Sequence, residues 1–169
     1  MTLPAPFPLL GVNMLYVAFV LFIIALYLQG KVGAKETGAM CILTGSINTI
    51  IALYNGLIMG DTASMGGGLL FAFTYLFFAF NIFSNADTYT GLGNYALGVT
   101  ITTLPFIYVN FMAGAGILTF LWIMWGQLWF FFWVANGLKK EITKFLAINT
   151  YLVAIANFII AIGFIFSWI

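Results

Sequence analysis

The chain has 169 residues, 64% of them hydrophobic and 5% charged, with a mean hydropathy of +1.13 and a net charge of +1. A soluble domain carries about 25% charged residues, so this composition describes an integral membrane protein and offers no basic surface to nucleic acid. With no histidine and a single cysteine, Cys41, it lacks the side chains for a histidine base, a Cys/His metal site or an internal disulfide.

A membrane-crossing helix needs about 20 largely apolar residues. Six such stretches are predicted, at 8–29, 38–59, 65–83, 94–112, 116–136 and 146–168. They leave no room for a soluble domain, so residues 1–169 are expected to form one all-α bundle of six transmembrane helices. In the first stretch the run from Phe19 to Ile24 does not alternate apolar and polar, which argues for a helix over a barrel strand. No positive residue precedes it and its apolar run is long, so it reads as a span rather than a cleaved signal peptide. Lys31 and Lys35 follow it. The second span carries Cys41 and Asn48. The third opens on the glycines at 66–68 and sets Phe73, Phe77 and Phe80 on one helical face. The fourth contains Pro105. Along the fifth, Trp122, Trp125, Trp129 and Trp133 are spaced three, four and four, again one face. Lys139, Lys140 and Lys144 come next, and the last span carries Asn149 and Asn157.

With six spans, the first, third and fifth loops share a side, so all five lysines lie on that side. The positive-inside rule makes it cytoplasmic and puts both termini outside. A weak repeat accompanies this count. The first, third and fifth spans close on Gln29, Asn81 and Asn136, 52 and 55 residues apart. Three helical hairpins around a common axis, with a pore between them, would produce that rhythm. Amides that simply end helices near the interface would produce it as well.

All nine charged residues fall in predicted loops. Coupled transporters keep an acid or base within the membrane, and ion channels need charged rings or clustered carbonyls. Both are poor readings of this chain. A passive pathway for a neutral solute remains, as does a structural subunit without a pathway. Tryptophan usually marks the membrane interfaces, but the stripe in the fifth span runs through mid-depth. If it faced the phenylalanine stripe of the third span, the two would wall a slot one ring wide, suited to a flat molecule. Helix packing or lipid contact are the alternatives for either stripe. An amide in such a slot still needs hydrogen-bond partners, since losing them costs about 2–7 kcal/mol. The candidate polar contacts are Asn48, Thr74, Gln127, Asn149 and Asn157.

Several of these segments resemble the AmiS/UreI family of urea and short-chain amide channels. Gly68-Leu69-Leu70-Phe71-Ala72-Phe73-Thr74-Tyr75-Leu76, continuing to Asn81, is similar to the family's G-L-L-F-G-F-T-Y-L segment. Trp122-Ile123-Met124-Trp125-Gly126-Gln127-Leu128-Trp129 resembles W-x-x-W-G-x-L-W. Leu15-Tyr16-Val17, Gly30-Lys31-Val32 and Thr90-Gly91-Leu92-Gly93 also match, in order along the chain. The resemblance implies a bacterial inner-membrane channel whose protomers each enclose a pore and assemble as hexamers around lipid. It implies pore-lining or constriction roles for Phe73, Phe77, Trp122, Trp125, Leu128 and Trp129, with Thr74, Gln127 and Asn157 as possible polar contacts. Departures from the family pattern make this pore less polar. Ile24 and Cys41 stand where asparagines are common, Phe77 where a tyrosine is, and the last span's polar position falls on Val153 or Asn157. The acid-gated members use histidines and acids in their outer loops; here there is no histidine and Asp61 is the only outer-loop acid.

The expected function is therefore a passive channel, not acid-gated, for urea or short aliphatic amides. No catalytic residue, cofactor or metal is expected. An ammonia or water channel, or a non-transporting membrane subunit, are the alternatives.

Overall fold

A computed structural model describes residues 7–168. It contains α1 (Phe7–Leu28), α2 (Ala34–Leu53), α3 (Thr62–Phe83), α4 (Thr90–Met112), α5 (Gly116–Asn136) and α6 (Thr143–Ile165). A π-helical turn, Tyr54–Ile58, prolongs α2. No strand occurs among the described residues. Each helix is long and apolar enough to cross a membrane. Helices α2, α3, α4 and α6 begin three or four residues before the apolar stretches read from the sequence, because caps rather than apolarity start a helix. At α2 the Glu36 carboxylate accepts from the Gly33 N–H at 2.9 Å. The Thr37 hydroxyl donates to the Gly33 carbonyl at 3.0 Å. Asp61 caps α3, accepting from the Ser64 N–H at 2.9 Å and the Ser64 hydroxyl at 2.6 Å.

The helices form a ring in chain order, α6 closing against α1, and among the described residues the backbone of each approaches only those of its two neighbours. Contacts alternate between close and loose. The close pairs are α1/α6, α2/α3 and α4/α5. Glycine explains where they fall, because lipid supplies no hydrophobic drive and small residues let backbones approach. A Cβ on Gly11 would lie 2.9 Å from the Ala161 carbonyl oxygen of α6. One on Gly45 would lie 2.7 Å from Leu76 of α3. Gly126 of α5 is pressed in the same way against Thr103 of α4. The three pairs surround one axis; α2/α3 and α4/α5 are hairpins across the short loops 59–61 and 113–115, and α1/α6 joins the first helix to the last.

Loops 29–33, 84–89 and 137–142 share the opposite end of the ring, where Lys31, Lys35, Lys139, Lys140 and Lys144 lie. Inward-facing Val20, Leu21, Leu121, Leu128 and Leu146 are fully buried. Outward-facing Leu43, Ile50, Leu104, Ile148 and Ile159 are exposed around the ring, an apolar belt that acyl chains solvate.

Candidate functional site

Within the ring, at the end away from the lysines, lies a cavity of about 330 Å³. Asp61 and Ser64 at the start of α3, Asn55 in the π-helical turn and Asn110 near the end of α4 line its mouth. Deeper, its walls are rings. Phe71 of α3 stacks against Trp122 and Trp129 of α5, with centroids 5.6 and 6.1 Å away, and meets Trp125 edge-on at 5.1 Å. Trp122 is itself held face to face on Phe106 of α4, at 4.1 Å and 12°. Tyr75 meets Trp129 edge-on at 6.1 Å, and Leu21, Tyr75 and Leu128 form the floor. Beyond the floor Phe78 packs against Tyr27 and Tyr89, and Phe132 against Trp129. The cavity thus ends mid-ring, and passage toward the lysine end requires these rings to part. At that end burial, followed by the neighbouring Tyr27 phenol, pushes the Tyr89 hydroxyl up to about 12.

Four of the residues singled out from the sequence, Trp122, Trp125, Leu128 and Trp129, line the cavity together. Phe73 and Phe77 do not, which corrects their expected place. Phe73 is 47% exposed on the outside of the ring, and Phe80 is exposed as well. Phe77 is half-buried between α3 and α4, 6.4 Å from the Tyr95 ring. The face of α3 that looks inward carries Gly67, Gly68, Phe71 and Tyr75. Two residues along a helix is about 200° of rotation, so the Phe73/Phe77 stripe points nearly opposite. A signal was present in the sequence. The inward stripe mixes glycine with a tyrosine whose hydroxyl needs a polar surrounding, whereas the outward stripe is pure phenylalanine, a residue lipid accepts freely. Trp133, the last of the tryptophan stripe, packs on Phe130 at 5.6 Å and lies outside the cavity lining.

The expected polar contacts are also redistributed. Thr74 donates to the Phe71 carbonyl at 2.6 Å. Gln127 donates to Asn149 Oδ1 at 3.2 Å, a link between α5 and α6. Neither lines the cavity. Asn157 stands behind its wall: its Oδ1 accepts from the Trp125 indole N–H at 3.1 Å while its Nδ2 donates to the Val153 carbonyl. Polar residues that do line the cavity at depth include Asn13, Asn48 and Tyr75, beside the tryptophan indoles. Asn48 is fully buried, and neither of its amide atoms has a hydrogen-bond partner; Asn13 Oδ1 and Trp129 Nε1 are likewise unpartnered. Each such group costs the fold about 1–3 kcal/mol. Asn13, Asn55 and Asn110 escaped the sequence reading because an asparagine near a span end reads equally well as a cap.

A ring of membrane-crossing helices around an aromatic-walled shaft, with no carboxylate, histidine or lysine lining it below Asp61, places the chain among helical membrane transport proteins. Residues 9–166 match the AmiS/UreI family transporter profile, and the chain belongs to that family, whose members are transporters and not enzymes. It is 32% identical over 139 residues to a putative amidate substrates transporter protein of Mycolicibacterium smegmatis. That match covers 78% of this chain and 63% of the relative, so the chain spans less than two thirds of that protein's length. It is 28% identical over 172 residues to the acid-activated urea channel of Helicobacter pylori, covering 81% of this chain and 87% of the other. The cryo-EM structure of the Helicobacter pylori urea channel in its closed state superposes with a TM-score of 0.81 at 27% identity, over 95% of this chain and 100% of that one. The crystal structure of that channel gives 0.78 at 26%, over 95% and 99%.

Proposed function

We propose that the protein is a passive channel for small, neutral, planar solutes, namely urea or short-chain aliphatic amides. The observation that carries this reading is the contact of Phe71 with Trp122, Trp125 and Trp129 across the ring. When those rings part they leave a slot with flat apolar walls, which fits a planar solute edge-on and resists a tetrahedral one. Ring faces also offer weak N–H···π contacts to an amide. An ion at the same depth would lose its hydration with no charge to replace it, a penalty of about 2.5 kcal/mol or more. The names of the relatives, an amidate transporter and a urea channel, favour the same solute class.

Trp122, Trp125, Leu128 and Trp129 serve as pore-lining residues in this scheme, with Phe71 and Tyr75 in the places expected for Phe73 and Phe77. No cofactor takes part. With the lysine end cytoplasmic, the protein lies in a bacterial inner membrane with both termini and the cavity mouth outside. By family resemblance it assembles as a homohexamer around lipid. It is not acid-gated, because histidine, the side chain that switches charge near neutral pH, is missing. Stopped-flow flux of urea, acetamide and formamide into proteoliposomes tests the reading. Rates well above those of protein-free vesicles are expected. Rates equal to the lipid background would leave a structural subunit as the better account.

A further inference from the structure

We infer that Asn48, together with Asn13 and Trp129, forms a recognition site for a primary carboxamide at the depth of the aromatic wall; this rests on the channel reading above. The register of the helices places these groups. The Thr44 hydroxyl of α2 donates to the Tyr16 carbonyl of α1 at 3.4 Å. One turn further from the lysine end, Asn48 on α2 comes level with the turn of α1 that carries Asn13. On α2, Gly45 and Ala52 lie one turn to either side of Asn48 and contact Ala72 and Gly68 of α3. Asn48 therefore sits at the level of Phe71, whose ring touches Trp129.

Several other amides and the Trp125 indole have partners. Asn157 bonds Trp125, Asn110 donates to the Phe106 carbonyl, and Asn136 to the Phe132 carbonyl. Four buried, unpartnered atoms belong to residues that line the cavity: Asn13 Oδ1, both amide atoms of Asn48 and Trp129 Nε1. Among the described residues, the remaining buried amide atom without a partner, Asn149 Nδ2, belongs to a residue outside its lining.

Those four atoms are the complement of a primary carboxamide. Its carbonyl oxygen accepts two hydrogen bonds, and Asn48 Nδ2 and Trp129 Nε1 supply two donors. Its NH2 group donates two, and Asn13 Oδ1 and Asn48 Oδ1 supply two acceptors. The edge of the Asn48 amide is itself the partner of another amide edge, pairing O with N–H in both directions. Urea presents the same edge. A diol of equal size presents no such fixed pair, and a tertiary amide has no N–H to give. The site therefore selects among neutral solutes by hydrogen bonding where the ring walls select by shape.

The test compares acetamide with ethylene glycol, which has the same number of heavy atoms, in proteoliposomes carrying the full chain. Asn48→Ala removes the amide without obstructing the cavity and strands no partner; Asn48→Leu keeps its shape. Size-exclusion chromatography in detergent checks that each variant assembles as the wild type does. The acetamide-to-ethylene-glycol flux ratio is expected to fall about fivefold or more in Asn48→Ala, with the ethylene glycol flux maintained or raised. Asn48→Leu is expected to lower the same ratio, and Trp129→Phe, which keeps a ring and loses the N–H, to lower it by less. A wild-type ratio in Asn48→Ala, with wild-type acetamide flux well above background, overturns the recognition site alone. Wild-type acetamide flux at the lipid background overturns the channel reading and the site with it.

Discussion

Phe71 and Phe73 sit two residues apart in one helix and meet different worlds. Phe71 touches three tryptophans across the ring, whereas Phe73 faces outward, half-exposed. Phe71→Ala is expected to let larger amides such as butyramide through, while Phe73→Ala leaves flux and size cutoff as in the wild type; stopped-flow rates over a homologous amide series check both. Asn157 is a positioning residue for the Trp125 indole. In Asn157→Leu that N–H loses its acceptor, which destabilises the fold by about 1–3 kcal/mol. A lower thermal midpoint in detergent is expected, together with a changed size cutoff that packing loss at a distant site would not produce. Tyr89 gives a pH signature. Its phenol is pushed up to about 12 by burial and then by Tyr27, from an ordinary 10.0. Above pH 10 the unfolded chain releases this proton while the folded one retains it, so stability falls as pH rises from about 10 toward 12. Below that window Tyr89 contributes no pH dependence, and alkaline thermal melts report the difference.

The pairing of helices is set by their smallest residues. Gly45 lets α2 meet α3, Gly126 lets α5 meet α4, and Gly11 lets α1 meet α6. Gly98, by contrast, has open space where a Cβ would stand. Gly45→Val is expected to cost about 1–3 kcal/mol through overpacking, and Gly98→Ala to be neutral or to stabilise by up to about 1 kcal/mol through helix propensity. Melting curves of the detergent-solubilised protein measure both. The alternation of close and loose contacts also shapes the cavity. Its wall is built from α3 and α5, which do not touch through their backbones, so the ring contacts across the axis are made by side chains alone. Side chains can part without unpacking a helix pair, as the proposed passage requires.

For the whole ring, the proposed orientation rests on the lysines and the proposed indifference to acid on the lack of histidine. A cysteine introduced at Lys139 is expected to react with a membrane-impermeant maleimide only once the cytoplasmic side is opened. One introduced at Gly60, in the loop at the other end, reacts from outside. The native Cys41 is buried and contributes no background. Reversed labelling would invert the topology. With no histidine in the chain, urea or acetamide flux is expected to vary less than about twofold between pH 5 and 7.5. A severalfold rise on acidification would show that Asp61 or another carboxylate gates the mouth.

Six crossings and a shared end for every lysine were legible in the residue string, because the apolar length of a span and the charge of a loop are local properties that no neighbour alters. The tryptophan side of α5 was legible too, since a spacing of three and four defines a face wherever the helix lies. Which way that face looks was not. A membrane helix is apolar all round, so periodicity cannot say whether Phe71 or Phe73 turns inward; the glycine contacts of α2 with α3 settle the rotation of α3, and that is a matter of packing. The same holds for the amides. The sequence contains Asn48, Asn149 and Asn157 in equivalent company, and only the assembled ring leaves Asn48 unpartnered beside the cavity while turning Asn157 toward an indole.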